Sequence, residues 1–494
     1  MRIKAATAAA CYNRRMSAPA ALPLAPASVA PLPAAAAADR TGAPFAARCW
    51  FLFAIGSLVL AGLLSLLLVV GRLPFLAPLF TDPLFFKRAL VVHVDLALVV
   101  WFQAGTAAFL GLALGRAIPR AVTALSLALG LAGLFALVLG SAARDAQPIL
   151  ANYVPVIDHP VFLGGLVAWF AGAGLYFAAA LAAPVPARAT LPDGVLVALR
   201  ASAATNLLAL ATFAAAWHTT LPGLPAIGYY ELVAWGGGHA LQVANVCAML
   251  GFWLLLLERW SGAAVLSPAG SRWLFTALVL PHASLPLLAL AGTSSPAYIE
   301  TATALMRWTI FPVVLVVLGL ALRHVLHHRR ADDTVRLFDR RLAGFVGSAT
   351  LTVLGFVLGA MIRGSSTLVP GHYHAAIGAV TLALMAAAYE FCAAASPAGV
   401  LAALVRRARL QLLLFGGGQA VFALGFALAG AYGLGRKQYA TEQHVRTLGE
   451  YLGLGVMGAG GLLAVAGGLF FLALMLRSVG TWRARPTPHS AQPT

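Results

Sequence analysis

Twelve apolar stretches, each of about 20 residues or more, fill most of this 494-residue chain. A stretch of that length is sufficient to cross a bilayer as an α-helix. Because 61% of the residues are hydrophobic and only 10% are charged, a soluble domain is excluded. The sequence therefore predicts an all-α, polytopic membrane protein of about twelve transmembrane helices. The predicted spans are approximately 46–70, 88–114, 119–143, 161–185, 195–217, 229–257, 272–292, 300–326, 338–363, 369–396, 408–435 and 450–477.

The basic residues are distributed unequally between the two sides of these spans. With twelve spans both termini lie on one side, and most of the 33 Lys and Arg residues fall in the tails and loops of that side. The positive-inside rule then places both termini in the cytoplasm, as in a multi-pass protein of a bacterial-type inner membrane. The net charge of +18 thus reflects loops next to membrane lipid, and no basic-and-aromatic motif supports binding of nucleic acid.

Composition divides the chain into three parts. Residues 1–45 are rich in Ala and Pro, which is typical of a disordered tail, here on the cytoplasmic side. Residues 46–477 form the predicted twelve-helix membrane domain. Residues 478–494 are predicted to be a second cytoplasmic tail.

Five histidines lie inside predicted spans: His93, His239, His282, His372 and His374. At about 1.5 Å per residue, all five fall in one layer of the outer half of the membrane. Ionisable residues in that position are rare and usually functional, and neutral imidazole is a common ligand of haem iron and copper. The set predicts a buried site with several metals, although any single member has the alternative of a packed, hydrogen-bonded core histidine.

The segment "GHYH" (371–374) adds a geometric constraint. At 100° per residue, His372 and His374 project about 200° apart, so they cannot bind the same metal. A helix between two haems can instead give one axial ligand to each. His93 is then available as the second axial ligand of one haem, and the other haem iron keeps an open position. His239 and His282 remain for a second metal that faces this open iron.

This arrangement resembles the catalytic subunit I of the haem–copper oxidoreductases, which comprise the respiratory terminal oxidases and the nitric oxide reductases. The resemblance covers nearly the whole twelve-helix chain and implies a fold that encloses two haems. It implies that His93 and His374 bind a low-spin haem and that His372 binds a high-spin haem. It also implies that His239 and His282 bind a second metal, either copper or non-haem iron.

A basic pair in "GLGRKQY" (433–439) extends the resemblance. Arg436 and Lys437 match two residues that contact haem propionates in the family. Two cations on the outer side would also compensate carboxylates there on physical grounds. The alternative is an ordinary pair of loop charges.

The second metal lacks one ligand that the family's oxidases have. Those enzymes carry adjacent histidines in helix 7, whereas "LPHASLP" offers His282 followed by Ala283. Gln242, Asn245 and Glu231 are the candidates to complete the set.

The residues expected to transfer protons also differ from those of the oxidases. Val243 stands where many of them carry a tyrosine four residues after the helix-6 histidine, and "LGRAIPRAV" after span 2 has no carboxylate. Carboxylates instead lie near the outer helix ends, and Glu300 and Glu231 are predicted to relay protons inward from outside. The alternative for each is a carboxylate at the membrane edge.

Three consecutive glycines, Gly236–Gly238, precede His239 in span 6. They permit the close approach of a large planar cofactor. Close packing between helices is the alternative.

The expected activity is that of a respiratory oxidoreductase that reduces a diatomic molecule at the high-spin haem and second metal. Reduction of NO to N2O is favoured, and reduction of O2 to water by a terminal cytochrome c or quinol oxidase is the alternative. A membrane haem-binding sensor or assembly factor without turnover is an alternative of another class.

The chain has no evident site for an electron donor, so we expect a partner subunit, cytochrome c or a quinol to supply electrons within a small membrane complex. No CxxC, CxxCH or zinc-type spacing is present, so we predict no disulfide framework, no covalently attached haem and no cysteine-held metal. The four cysteines are far apart: Cys11, Cys49, Cys247 and Cys392.

Overall fold

A computed structural model of the chain describes residues 43–76, 79, 82–187, 190–329, 339–395, 401–438 and 442–482. Within these ranges twelve helices are long and apolar enough to cross a membrane, which confirms the predicted all-α polytopic fold. The helices are α1 Phe45–Val70, α2 Leu84–Leu114, α3 Arg120–Ser141, α4 Pro160–Ala182, α5 Asp193–Thr219, α6 Ala226–Ser261, α7 Pro268–Ala291, α8 Pro296–His328, α9 Arg340–Met361, α10 Leu368–Ala395, α11 Arg407–Ala431 and α12 Leu448–Thr481. The predicted tails lie outside the described residues up to residue 42 and from residue 483 onward.

Local sequence signals set several helix ends. At the start of α12, the Thr447 hydroxyl accepts from the backbone N–H of Glu450, and the Glu450 carboxylate accepts from the N–H of Thr447. This capping box satisfies two N–H groups that the first turn leaves unpaired. Pro268 and Pro296 begin α7 and α8, where a missing N–H costs nothing. Gly262 ends α6 with a φ of 81°, which favours glycine.

Three helices form the interior of the bundle. In α2, α6 and α10, 83–89% of the residues in the apolar stretch are buried, against 28–50% in the other nine helices. A run of small residues in α10, Ala386–Ala388, permits close approach of neighbouring helices. Four of the five predicted histidine ligands lie on these interior helices.

Three helices change their winding near predicted site residues. α2 has a π-helical segment, Asp95–Val100, that begins two residues after His93. α7 contains a 3₁₀ segment, Leu280–Ala283, which includes His282. α8 contains a second π-helical segment, Met306–Ile310. Such interruptions re-aim side chains and are frequent at functional sites.

Residues 142–159, which join α3 to α4, are termed the cap segment. They contain two short antiparallel strands, β1 (Gln147–Ile149) and β2 (Val156–Asp158), with Gln147 opposite Asp158. Arg88 of α2 anchors the beginning of the segment, because its guanidinium donates to the carbonyl oxygens of Ala146 and Arg144 at 2.9 and 3.0 Å. The beginning of the cap segment therefore lies against α2.

Candidate functional site

A cavity of about 550 Å³ lies along the N-terminal part of α10. His93, His372 and His374 line it, as do Gln242 and residues of the cap segment. Most of the remaining wall is apolar, contributed by α1, α2, α11 and α12. A mostly apolar cavity with a few convergent polar groups is typical of a cofactor site.

His372 and His374 face different neighbours, as helix geometry predicts. The His372 ring lies against α9, where its Nδ1 is 2.7 Å from the carbonyl oxygen of Gly355. The His374 ring instead packs against α11: its centroid is 4.7 Å from that of Phe422 and 5.6 Å from that of Phe426. Each ring therefore lies in a different part of the cavity.

Four of the five predicted ligands share one hydrogen-bonding arrangement. A backbone carbonyl oxygen only accepts, so the proton of each neutral ring is on Nδ1 and the lone pair is on Nε2. Fixing the tautomer in this way leaves Nε2 able to bind a metal. The four Nδ1–oxygen pairs are His93 with Ala61 (2.9 Å), His239 with Trp235 (2.7 Å), His282 with Leu278 (3.0 Å) and His372 with Gly355 (2.7 Å).

His239 and His282 lie outside the cavity wall. Tyr153 of the cap segment does line the cavity, and its hydroxyl is 3.0 Å from Nε2 of His239. Because the lone pair of His239 is on Nε2, the phenol donates this bond. The Sδ atom of Met306 lies 3.9 Å from the same hydroxyl. Nε2 of His282 is buried and has no hydrogen-bond partner among the described residues.

Glu231 fixes the chain next to Tyr153. Its carboxylate accepts from the backbone N–H of Asn152 at 2.9 Å and from the side-chain amide of the same residue. The Tyr153 backbone has a φ of 68°, a conformation that a bulky residue adopts only when its surroundings hold it there. Burial and the nearby Glu231 carboxylate raise the pKa of the Tyr153 phenol above its ordinary range.

Lys437 provides a second anchor, since its ammonium donates to the carbonyl oxygen of Leu150 at 2.6 Å. Its backbone φ of 63° is also positive. Burial, and next the positive charge of Arg436, lower the pKa of Lys437, although Glu231 acts in the opposite direction. Lys437 thus joins the loop between α11 and α12 to the cap segment.

The structure brings the other predicted residues together only in part. Arg436 lines the cavity, and its Nε is buried without a hydrogen-bond partner among the described residues. Gln242 also lines the cavity. Glu231 contacts the cap segment and is not part of the cavity wall. Glu300 is exposed on α8 and is likewise not part of that wall.

The three glycines before His239 serve packing. A Cβ atom added at Gly236, Gly237 or Gly238 would lie 2.7, 2.4 or 2.4 Å from the nearest side-chain atom. Those side chains belong to Tyr298, Phe213 and Tyr153, respectively. Of the two interpretations of this motif, close packing of neighbouring side chains agrees with the structure.

Sequence reasoning missed Tyr153 and Arg72. Arg72 is buried, lines the cavity and lies with its guanidinium 5.3 Å from the centre of the Phe426 ring. Both residues come from connecting segments, where helical periodicity gives no information about direction. The available signal was weak: an aromatic residue between Asn152 and Pro155 in an outer loop.

No group of three or more His, Cys, Asp or Glu side chains close enough to hold one metal ion is present in the described parts of the chain. His239 and His282 are therefore not joined by a third side chain of these types.

Comparison with known proteins identifies two relatives by sequence and a solved structure of similar fold. No protein-family model matches the chain. It is 30% identical over 350 residues to an uncharacterized protein of Aquifex aeolicus (strain VF5), a match that covers 69% of this chain and 83% of the relative. It is 25% identical over 485 residues to the uncharacterized protein RP382 of Rickettsia prowazekii (strain Madrid E), covering 86% and 94%.

Among solved structures, the chain is similar to a heme-copper terminal oxidase dimer studied by cryo-EM. The TM-score is 0.64 at 14% sequence identity, and the match covers 90% of this chain and 85% of the other. The likeness at this identity is one of fold, and it agrees with the twelve-helix architecture predicted from the apolar stretches.

Proposed function

The chain belongs to the same family as the uncharacterized Aquifex aeolicus protein, and from its oxidase fold and histidine geometry we propose that it is a haem-containing membrane oxidoreductase of the haem–copper superfamily. In this proposal it acts as a catalytic subunit I that reduces a diatomic molecule. The observation that carries the proposal is the fixed tautomer of four intramembrane histidines, each of which has Nε2 left for a metal.

The residues fit two haems and a second metal. His93 and His374 line the cavity and would hold a low-spin haem, and His372 would hold a high-spin haem on the α9 side. His239 and His282 would bind the second metal, and the unpartnered Nε2 of His282 supports this role. When bound, these groups would supply the electrons and the binding position for the diatomic substrate.

The protein's own side chains orient these groups and exclude water. The carbonyl oxygens behind the imidazoles fix each ring plane. Phe422 and Phe426 cover the His374 side of the cavity. The unpaired Nε of Arg436 in the cavity wall would donate to a carboxylate such as a haem propionate, and Lys437 lies next to it.

Reduction of NO to N2O is the favoured activity, because carboxylates available to carry protons lie on the outer side. Glu390, in the cytoplasmic half of α10, is held by Arg340 and, at 2.8 Å, by Arg341. Asp95 lies in the outer half of α2, two residues after His93, and neither of its buried oxygens has a hydrogen-bond partner in the described structure. Proton uptake from outside suits an enzyme that does not pump protons.

Reduction of O2 is the second candidate, and Tyr153 favours it. Many oxidases place a phenol beside the helix-6 histidine, and this chain has Val243 at that helix position. The Tyr153 hydroxyl nevertheless lies 3.0 Å from His239, supplied by the cap segment.

We further propose a place for the protein in the cell. It would lie in a bacterial-type inner membrane with both termini in the cytoplasm, in contact with lipid. Electrons would come from a partner subunit, cytochrome c or a quinol within a small membrane complex.

The test is an analysis of the purified protein for haem and metal, combined with measurement of NO and O2 consumption in the presence of an artificial reductant. The proposal expects two haems, one further copper or iron ion, and consumption of NO in preference to O2. Preferential O2 consumption would favour the oxidase. Haem without a second metal or any consumption would favour a sensor or assembly factor.

Two variants test the ligand assignment directly. His374→Ala should abolish the low-spin haem spectrum and keep a high-spin signal, whereas His372→Ala should do the reverse. His218→Ala, at an exposed histidine near the end of α5, is the control and should change neither. If both cavity variants leave the haem spectrum intact, the assignment is wrong.

A further inference from the structure

We propose that Tyr153 is the third protein ligand of the second metal, through its phenolate oxygen, together with Nε2 of His239 and Nε2 of His282. This inference rests on the proposed function and names the ligand that the two histidines lack. On binding, the O–H bond of the phenol breaks, an oxygen–metal bond forms, and the proton passes to water on the outer side. Release of protons by ligands on metal binding is general.

The distance between the ring atoms fits two ligands of one ion. Two ligands that are each about 2.0–2.1 Å from a metal, at an angle of about 90–110°, lie about 2.9–3.4 Å apart. The Tyr153 hydroxyl oxygen is 3.0 Å from Nε2 of His239. A metal ion can therefore replace the proton that these two atoms share without moving either ring far.

His282 lies close enough to His239 for the two imidazoles to interact electrostatically, and it supplies a second, independent observation. Its Nδ1 proton is bonded to the carbonyl oxygen of Leu278 at 3.0 Å, so its lone pair is on Nε2. That atom is buried and unpaired in the described structure, on a residue with no exposed surface. Buried polar atoms almost always have a partner, and a metal ion would provide one here.

Contacts to the neighbouring residues hold Tyr153 in its position. The residue before it, Asn152, is bound by the Glu231 carboxylate through both its backbone and its side chain. Lys437 holds Leu150, three residues before Tyr153. Strained backbone of the kind seen at Tyr153 persists where the surroundings over-determine it, and such positions cluster at active sites.

The rival ligands predicted from the sequence are less suitable. The Glu231 carboxylate is already committed to Asn152. Gln242 offers a neutral amide, which is a poorer ligand for copper or iron than a phenolate. The Tyr153 hydroxyl, in contrast, is hydrogen-bonded to Nε2 of His239, and the residue lines the cavity.

The experiment compares the purified wild-type protein with Tyr153→Phe and with Tyr229→Phe, a control at a half-buried tyrosine of α6. The second metal is titrated away with a chelator, and its content per haem is measured. Resonance Raman spectra of the oxidised proteins report metal–phenolate vibrations, and haem spectra report whether each protein is folded.

We expect the wild type and Tyr229→Phe to retain the metal and to show metal–phenolate bands. Tyr153→Phe should keep its haem spectra, lose those bands, and bind the metal more than about 100-fold more weakly, since loss of a second-shell partner alone costs about 10–100-fold. A wild-type protein that contains the metal but shows no phenolate band would overturn the inference, even if Tyr153→Phe did not fold. Unchanged metal affinity in Tyr153→Phe would do the same. A wild-type protein with haem and no second metal would instead overturn the proposed function.

Discussion

Gly238 sets how closely the cap segment approaches α6. A Cβ atom at this position would lie 2.4 Å from Cβ and 2.7 Å from Cγ of Tyr153. Ordinary contacts of a Cβ atom begin near 3.4 Å, so in Gly238→Ala the tyrosine must retreat by about 1 Å. That movement would take its hydroxyl from 3.0 Å to beyond hydrogen-bonding distance of Nε2 of His239.

The expected loss of stability in Gly238→Ala is local to the contact with Tyr153. Loss of the hydrogen bond contributes about 0.5–1.5 kcal/mol, and overpacking contributes about 1–3 kcal/mol. The displacement affects the cap segment, because the proposed haem ligands His93, His372 and His374 have their own contacts with α1, α9 and α11. Gly238→Ala should therefore weaken retention of the second metal and speed hydrogen exchange in the cap segment, while the haem spectrum is kept.

Gly228→Ala is the matched control, since it lies on the same helix and a Cβ atom there would meet nothing within 4 Å. Both variants are compared by metal content, by hydrogen exchange of residues 142–159 and by thermal melting in detergent. Equal behaviour of the two variants would refute the argument that contact with Tyr153 organises this site.

The remaining predictions concern charged groups around the cap segment. Glu231→Gln should lower turnover at least tenfold and expose the cap segment to proteases, because hydrogen bonds to a charged group contribute about 1.5–3 kcal/mol. Glu300→Gln, at an exposed position, should change turnover by less than about twofold; an equal loss in both variants would place Glu231 and Glu300, rather than Asp95, on the outer proton path. Arg436→Gln should lower a haem midpoint potential by tens of millivolts in a redox titration, since a nearby positive charge stabilises the reduced haem. Lys437→Gln should shift it less, because its ammonium is bound to Leu150, and the reverse order would contradict the assignment.

Features that depend only on the geometry of a single helix could be predicted from the sequence. Apolar length predicted the twelve spans, which the structure confirms. The turn of 100° per residue separated His372 from His374, and their rings do contact different helices, α9 and α11. Each of these results needs only the geometry of a regular helix.

The parts of the site that depend on connections between helices were not predictable. Tyr153 lies 86 residues before His239 in the chain, and no periodicity links a loop to a helix across that separation. Glu300 lies on a helix at the expected depth, but the packing of α8 leaves it exposed. Whether the three glycines make room for a cofactor or for neighbouring side chains likewise could not be read from α6 alone. The side chains that contact them, Tyr298, Phe213 and Tyr153, come from other elements.

The anchors of the cap segment have a consequence for biogenesis. Leu150 and Lys437 are 287 residues apart, so the cap segment leaves the ribosome long before its last anchor is made. Helices α1 to α10 can pack beforehand, because domains assemble progressively during synthesis. The contact between Lys437 and the cap segment, however, forms only once the loop between α11 and α12 has arrived. If the second metal is bound as proposed, the segment that carries Tyr153 is therefore fully held only as a late step of maturation.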